Sequence, residues 1–595
     1  MSTRKTLSIA SVVIFLVSCS DYLEPYPNAD RSRENIWEYQ EMAQGLIGQC
    51  YDYLPRNYND NEGAYMDCAT DNAVQTNTLS AIRRFAVGAI TTSQDPFRTY
   101  WDRNYKAINL VNIFLENRNG YNTRYLVDKH FNELVRNRLQ GEAFGLRAWF
   151  QWDLLQKFGG KGMDGQLLGF PIVLEPVDIT GDFDKARNTY DECVQQILAD
   201  CDSAYKYLPI AHRDFLVTEV KDLAYAGGRY WGRIDGITTR AIKALVYLTW
   251  ASPAFNTAND NSRWDMAAKY AKEVIDFKLN VDGARSNGFK PLNGVDWFNP
   301  NFPGIVWSSR HLDANDAMER MFYPGGFQGN GTMGATQELV DAFPMKNGYP
   351  ITDSRSGYDP ANPYLNRDPR FYSIIFYNNA QAKRLSNNQV MYTFENWGKD
   401  KAGEKSDNSR TNYHIKKFVF MGLNWSDASI NRQRHNKHYI RWAHMVLTFA
   451  EAANQYAGPM DASRYGISAK EAMTYLRSRK TYDGAAGYTS DPYLDEVAAA
   501  GKEAFDAFIK NERRLETCFE GMRFYDLRRW SKSLNDLNKP VHGVDVVKTP
   551  EGLFIYNLNM EVEERKFPSA YLPIPYDEML RVKNLVQNEG WNTWN

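Results

Sequence analysis

The segment FIKNERRLETCFEGMRFYDLRRW (508–530) sets Glu512, Glu516 and Glu520 four residues apart. Paired carboxylates can run acid–base chemistry, and glycoside hydrolysis needs two facing each other across a cleft at about 5–9 Å. A ladder along one helical face, threaded with Arg513, Arg514 and Arg523, reads instead as a structural ion-pair network. GNGTMG (329–334) has the G-x-G-x-x-G spacing and leads into ATQELVDAF, but a dinucleotide turn must follow a strand. The preceding AMERMFYPGG is neither alternating nor β-branched, so that site is not expected. His435 and His438, with His414 and His444 nearby, match no zinc spacing. They fall in or near the basic NRQRHNKHYIR and read as solvated loop histidines. No G-x-S-x-G elbow or Cys/His pair marks a nucleophile. No catalytic residue, metal ligand or cofactor is expected, although a loop-held structural cation is compatible with the sequence.

What the chain has in excess is rings: 14% aromatic, with 15 Trp and 37 Tyr in 595 residues. Most must be core, but such a surplus suits stacking on flat, partly apolar ligands. Net charge is −2 with no basic cluster, which excludes the electrostatic footprint of a nucleic-acid binder. Helical periodicity predicts helices over roughly 33–53, 98–118, 127–157, 188–207, 237–251, 262–277, 440–456, 468–479 and 502–530. Segments such as RLQGEAFGLRAWFQWDLL, TRAIKALVYLTWASPAF and RWAHMVLTFAEAANQYA repeat small and aromatic residues at similar offsets. Ala where a partner packs closely, with Tyr or Trp filling gaps, suggests degenerate tetratricopeptide-like hairpins. The expected fold is therefore mainly α: a helical-hairpin scaffold with long irregular loops and minor β. The longest loop-rich stretch, about 280–435, is where binding residues are expected. Trp101 and Trp149 lie in helical patterns and read as core.

The N-terminus adds an address. Arg4 and Lys5 precede an apolar run from Leu7 to Val17, a secretory signal too short to span a bilayer. LVSC (16–19) resembles a bacterial lipobox, which predicts a signal peptide over 1–18 and acylation of Cys19. The remaining cysteines, Cys50, Cys68, Cys193, Cys201 and Cys518, are odd in number and read as buried free thiols. Cys193 and Cys201, eight apart on one helix, would sit about 12 Å apart, beyond disulfide reach.

Together with that lipobox, GEAFGLRAWFQWDLLQKFGG (141–160), ASPAFN (251–256), MKNGYPI (345–351) and YDPANPYLNRDPRFY (358–372) resemble the SusD/RagB family of Bacteroidetes outer-membrane lipoproteins. MVLTFAEAANQ (445–455), NERRLETCFEGMRFYDLRRW (511–530), YLPIPYDEM (571–579) and QNEGW (587–591) continue the resemblance in family order over nearly the whole mature chain, 19–595. Met522 departs from the residue common there. The resemblance implies a non-enzymatic lid over a SusC-type TonB-dependent β-barrel transporter, capturing oligosaccharide at the cell surface for import. A peptide or glycopeptide ligand and a surface-anchored hydrolase are the alternatives. By region, it implies ligand contacts in YMDCATDNAVQTNTLSAIRRF (65–85) and in the aromatic loop 295–327. The candidates are Trp297, Trp307 and Tyr323 for stacking, and Asp71, Asn77 and Arg83 for the hydroxyl rim, with Asp71 equally able to cap a turn.

Overall fold

The computed structural model describes residues 35–592 apart from 57, 59–63, 178–183, 283–296, 298, 300–301, 312–316, 328, 384–389, 404–405, 407, 422–433, 482–484 and 532. The leader, its cleavage point and Cys19 lie outside the described residues.

Helices dominate, and sequence neighbours pack on one another. Arg98–Leu115 packs on Lys129–Phe158, which packs on Tyr190–Tyr207; Gly236–Ala251 packs on Ser262–Asp276; Trp442–Ala457 packs on both Ser262–Asp276 and Ala469–Arg477. Their starts are written in side chains. Thr189 and Ser468 each form a capping box with Glu192 and Glu471, while Asp128 accepts from the Phe131 N–H at 3.0 Å. The packed faces carry buried alanines, Ala267, Ala268 and Ala271 on one helix and Ala443, Ala450 and Ala453 on another, which allow close approach. Strands are short by comparison: among the described residues they form six two-stranded ladders. Two of these stitch the loop-rich stretch to the scaffold, Ile305–Ser308 to His438–Arg441 and Met333–Ala335 to Ala73–Gln75. No described helix is long and apolar enough to cross a membrane.

The single helix expected over 502–530 is two, Lys502–Thr517 and Met522–Trp530. Phe519 and Gly521 between them adopt left-handed backbone, φ 65° and 84°. The N–H groups freed by this break are not lost: the buried Asp67 carboxylate accepts from Phe519 at 3.1 Å and Gly521 at 3.0 Å. Burial outweighs those bonds and raises the Asp67 pKa to about 6.

The glutamate ladder is a buried ion-pair network, with partners other than the flanking arginines. Glu512 meets Arg370 at 2.9 Å and also Arg477; Glu516 meets Arg441 at 3.0 Å and also Arg479; Glu520 meets Arg441 and Lys417, each at 2.6 Å. Arg513 turns instead to Asp526, and Arg514 and Arg523 to Asp71. Neighbours one or two positions away on a helix point to different faces, so the cations come from other elements. Burial opposes the charge on Glu516, yet Arg479 and Arg441 hold its pKa near 2. A carboxylate saturated in this way has no proton to exchange near neutrality.

The four histidines correct the expectation of solvated rings, since all are buried. The residues flanking them form the strands His414–Ile415 and His438–Arg441 and the first turn of Trp442–Ala457, so the rings enter the core. Burial lowers the His414 and His444 pKa values to about 4. Neutral His444 accepts the Arg441 backbone N–H on Nδ1 and donates from Nε2 to Glu520 at 3.0 Å. The five described cysteines are buried thiols, none of them in a disulfide. In GNGTMG, Gly329 and Gly334 serve packing, since a Cβ on them would collide with the Tyr323 carbonyl and the Ser409 hydroxyl, and the strand Met333–Ala335 lies inside the motif's end, not before it.

Candidate functional site

The three rings expected to stack on ligand are core residues. Trp297 is 3% exposed and packs among Tyr58, Phe418 and His438; Trp307 is 2% exposed against Trp149 and Tyr439. Tyr323, 1% exposed, sits among Phe327, Phe376 and Phe394. The ladder between Ile305–Ser308 and His438–Arg441 draws this loop inward, so its rings fill the space between loop and scaffold. None offers a free face to a sugar. Trp101 is buried, as its helical pattern implied, and Trp149 is half-buried against the core.

Asp71 is likewise structural. Its carboxylate takes a two-pronged bond from Arg523, at 2.9 and 2.8 Å, and an ion pair from Arg514 at 3.1 Å. Burial works against its charge, but the two guanidinium groups hold its pKa far below the usual carboxylate range. Asn77 lies on the turn that leads into the short helix Ala81–Ala86, and Arg83 lies in that helix. Asn77 is exposed and its Oδ1 accepts from the Leu79 N–H at 2.9 Å. Arg83 donates to Glu563 at 3.1 Å and to the Thr78 carbonyl at 3.4 Å, and Glu563 also binds Arg410. The Thr76 N–H to Thr332 carbonyl bond, 2.9 Å, joins this turn to the 329–335 segment.

An aromatic surface lies elsewhere. A cleft of about 240 Å³ opens between the connection that follows helix Tyr190–Tyr207 and the 302–308 loop. Its walls include Phe215, Trp231 and Phe302, and its floor includes Trp307. Phe215 is 41% exposed, and Trp231 and Phe302 are half-buried. The buried Trp307 thus contributes by position: its Nε1 donates to the Gly232 carbonyl at 3.0 Å and fixes the loop that carries Trp231. Arg310 lies over the Trp231 ring at 5.6 Å. Partial burial and the neighbouring Arg233 lower the Arg310 pKa.

The polar walls are held rigidly. Arg213 binds Asp282 in a two-pronged pair from Nε and one terminal nitrogen, at 2.9 and 3.0 Å, and Lys278 binds the same carboxylate at 2.6 Å. Asp235 caps helix Gly236–Ala251 through the Thr238 N–H and hydroxyl, at 2.9 and 2.6 Å. Aromatic planes beside pre-oriented guanidinium and carboxylate groups can hold a ligand with an apolar face and a hydroxylated edge. Sequence reasoning reached one wall through the 295–327 loop and missed Phe215 and Trp231. The run FLVTEVKDLAYAGGRYWGR (215–233) carried the available signal, an aromatic-rich connection without helical period. No residue of the Asp71–Arg83 turn lines this cleft.

Two family models match the chain. One, of the SusD family, covers residues 301–591; the other, described as starch-binding associating with the outer membrane, covers residues 21–227. A SusD-like protein of Formosa agariphila is 23% identical over 560 residues, spanning 91% of this chain and 95% of the relative. Among solved structures, a SusD-like protein of Bacteroides fragilis superposes with a TM-score of 0.71 at 22% identity, over 95% of this chain and all of its own. A SusD-like carbohydrate-binding protein of the same species gives 0.65 at 17% identity, over 92% and 99% of the two chains. The helical-hairpin fold, the two matches in chain order and these relatives place the chain in the SusD-like family.

Proposed function

We propose that this protein is a cell-surface lipoprotein, tethered through acylated Cys19, that captures oligosaccharide and hands it to a SusC-like TonB-dependent barrel. The observation that carries the ligand class is the cleft walled by Phe215, Trp231 and Phe302 beside fixed charged groups. A pyranose ring has an apolar C–H face edged by hydroxyls, so it stacks on an aromatic plane while polar groups read its rim. The family description of starch-binding proteins at the outer membrane, and the carbohydrate-binding relative, support the same class. Asn77, exposed on its turn, and Arg83, half-buried in the helix that follows, stand as a second polar contact for a longer chain. The ladder glutamates are locked by cations, which favours binding over hydrolysis.

Calorimetry against a panel of oligosaccharides tests the reading, with Trp231→Ala as the site variant. Saturable glycan binding lost in that variant is the expected result. Binding of peptides with no response to any glycan, or turnover of the glycan, would replace it. For the tether, Cys19→Ala should abolish palmitate labelling and release the protein from the membrane fraction. For the partner, the anchored protein should co-purify from detergent extracts with a TonB-dependent barrel.

A further inference from the structure

The aromatic cleft carries more positive charge than its carboxylates neutralise. Each buried carboxylate that anchors a cleft arginine serves two cations. Asp282 pairs with Arg213 at 2.9 Å and Lys278 at 2.6 Å, and Glu142 pairs with Arg138 at 2.8 Å and Arg233 at 2.6 Å. Asp235 and Asp214 bond to backbone N–H groups instead, of Thr238 at 2.9 Å and Gly228 at 2.7 Å. Arg229, next to Gly228, donates to the Ala224 carbonyl. Burial lowers the His212 pKa, so that ring adds no charge near neutrality.

Arg310 stands at the rim. It follows the strand Ile305–Ser308, whose residues line the cleft, and its stem packs on Gly232, another lining residue. A Cβ on Gly232 would fall 2.4 Å from Arg310 Cγ. The residue is exposed, and its guanidinium lies over the Trp231 wall at 5.6 Å from the ring centre. Among the described residues it forms no ion pair and no hydrogen bond. After partial burial, the strongest influence on its charge is the like charge of Arg233. An anion arriving at this rim is therefore drawn by two guanidinium groups, and one of them is wholly uncommitted.

A sugar stacked on an aromatic wall keeps its substituents at the ring edge, where they meet the rim of the cleft. The planar fork of an arginine matches the two oxygens of a carboxylate or a sulfate ester. We propose that the cleft selects acidic oligosaccharides, Arg310 taking the oxyanion at the edge of a sugar seated against Trp231, a selection that rests on the oligosaccharide reading of this cleft.

The test is calorimetry on the full folded chain with oligosaccharide pairs identical but for one acidic group. One series sets a uronate against its neutral hexose, the other a sulfated sugar against its unsulfated match. The acidic member should bind about tenfold tighter than its neutral match. Arg310→Gln should erase that difference and leave the neutral affinity unchanged, and raising salt from about 0.05 M to about 0.5 M should shrink it in the wild type. A preference confined to one series supports the proposal and names the group as carboxylate or sulfate. Neutral sugars binding as tightly as acidic ones overturn the selection and leave the oligosaccharide reading standing. No binding of any member overturns both. An equal loss in Arg581→Gln, a surface arginine outside the cleft, makes the effect one of overall charge and overturns the proposal.

Discussion

Glu520→Gln isolates the electrostatics of the buried ladder, because the amide keeps the shape of the carboxylate and removes only its charge. Glu520 accepts from Arg441 at 2.9 and 2.6 Å, from Lys417 at 2.6 Å and from His444 at 3.0 Å, all with buried side chains. Neutralising it leaves two buried cations short of a partner. Breaking such a pair costs about 3–5 kcal/mol. At about 2.1 cal/mol/K per residue, a chain of this length unfolds with roughly 1.2 kcal/mol/K of entropy, so the melting point should fall by about 3–4 °C. The pH dependence is the sharper reading. Burial opposes the charge on Glu520, but Arg441 and Lys417 hold its pKa well below the ordinary value. Its charge therefore stabilises the fold fully above the unfolded-state pKa of about 4.3, and that contribution is lost as pH falls through the lower folded-state value. The gap between wild type and Glu520→Gln should be full at pH 7 and shrink steadily below about pH 4. Urea unfolding from pH 7 to pH 3 measures it. A gap under about 1 kcal/mol at pH 7, or one constant down to pH 3, would refute the assignment of this ladder as a charge network.

Four further outcomes follow from the same geometry. Trp231→Ala should weaken oligosaccharide binding roughly fivefold, the loss of about 1 kcal/mol of stacking, while leaving the melting point within about 1 °C; calorimetry and scanning calorimetry together check this. Trp297→Ala and Trp307→Ala should each destabilise the fold by about 3–5 kcal/mol through cavity formation, as read in urea midpoints. Asp71→Asn should cost about 2 kcal/mol, less than a fully buried pair because the side chain is partly exposed, with glycan affinity unchanged. The five described cysteines should resist a thiol reagent in the native protein and react only in denaturant, since all are buried and burial raises the Cys193 pKa to about 12.

The helical scaffold was legible in the chain because its signals are local. Apolar residues at helical spacing marked Lys129–Phe158 and Trp442–Ala457, and capping pairs such as Thr189 with Glu192 sit three residues apart. The family resemblance was legible for the same reason, since it is carried by contiguous helical segments. The break between Thr517 and Met522 was not, because what stabilises it is Asp67, some 450 residues away in sequence. The ladder's role as an ion network could be inferred from its spacing, but its partners could not: Arg370, Arg441 and Arg477 come from other elements.

The site depended most on tertiary structure. A tryptophan in a loop is equally able to face ligand or core, and composition does not distinguish the two. Pairing of Ile305–Ser308 with His438–Arg441 turned Trp307 inward, and Trp297 packs on His438 of that ladder, while His414 is buried through a separate ladder with Ile375–Phe376. Exposure passed to Phe215, Trp231 and Phe302, which share a cleft only because two loops some 70 residues apart in sequence meet over Trp307. Periodicity and capping are properties of a few adjacent residues and survive in the sequence. Burial and ion pairing are properties of whole-chain packing, and only the folded chain decided them.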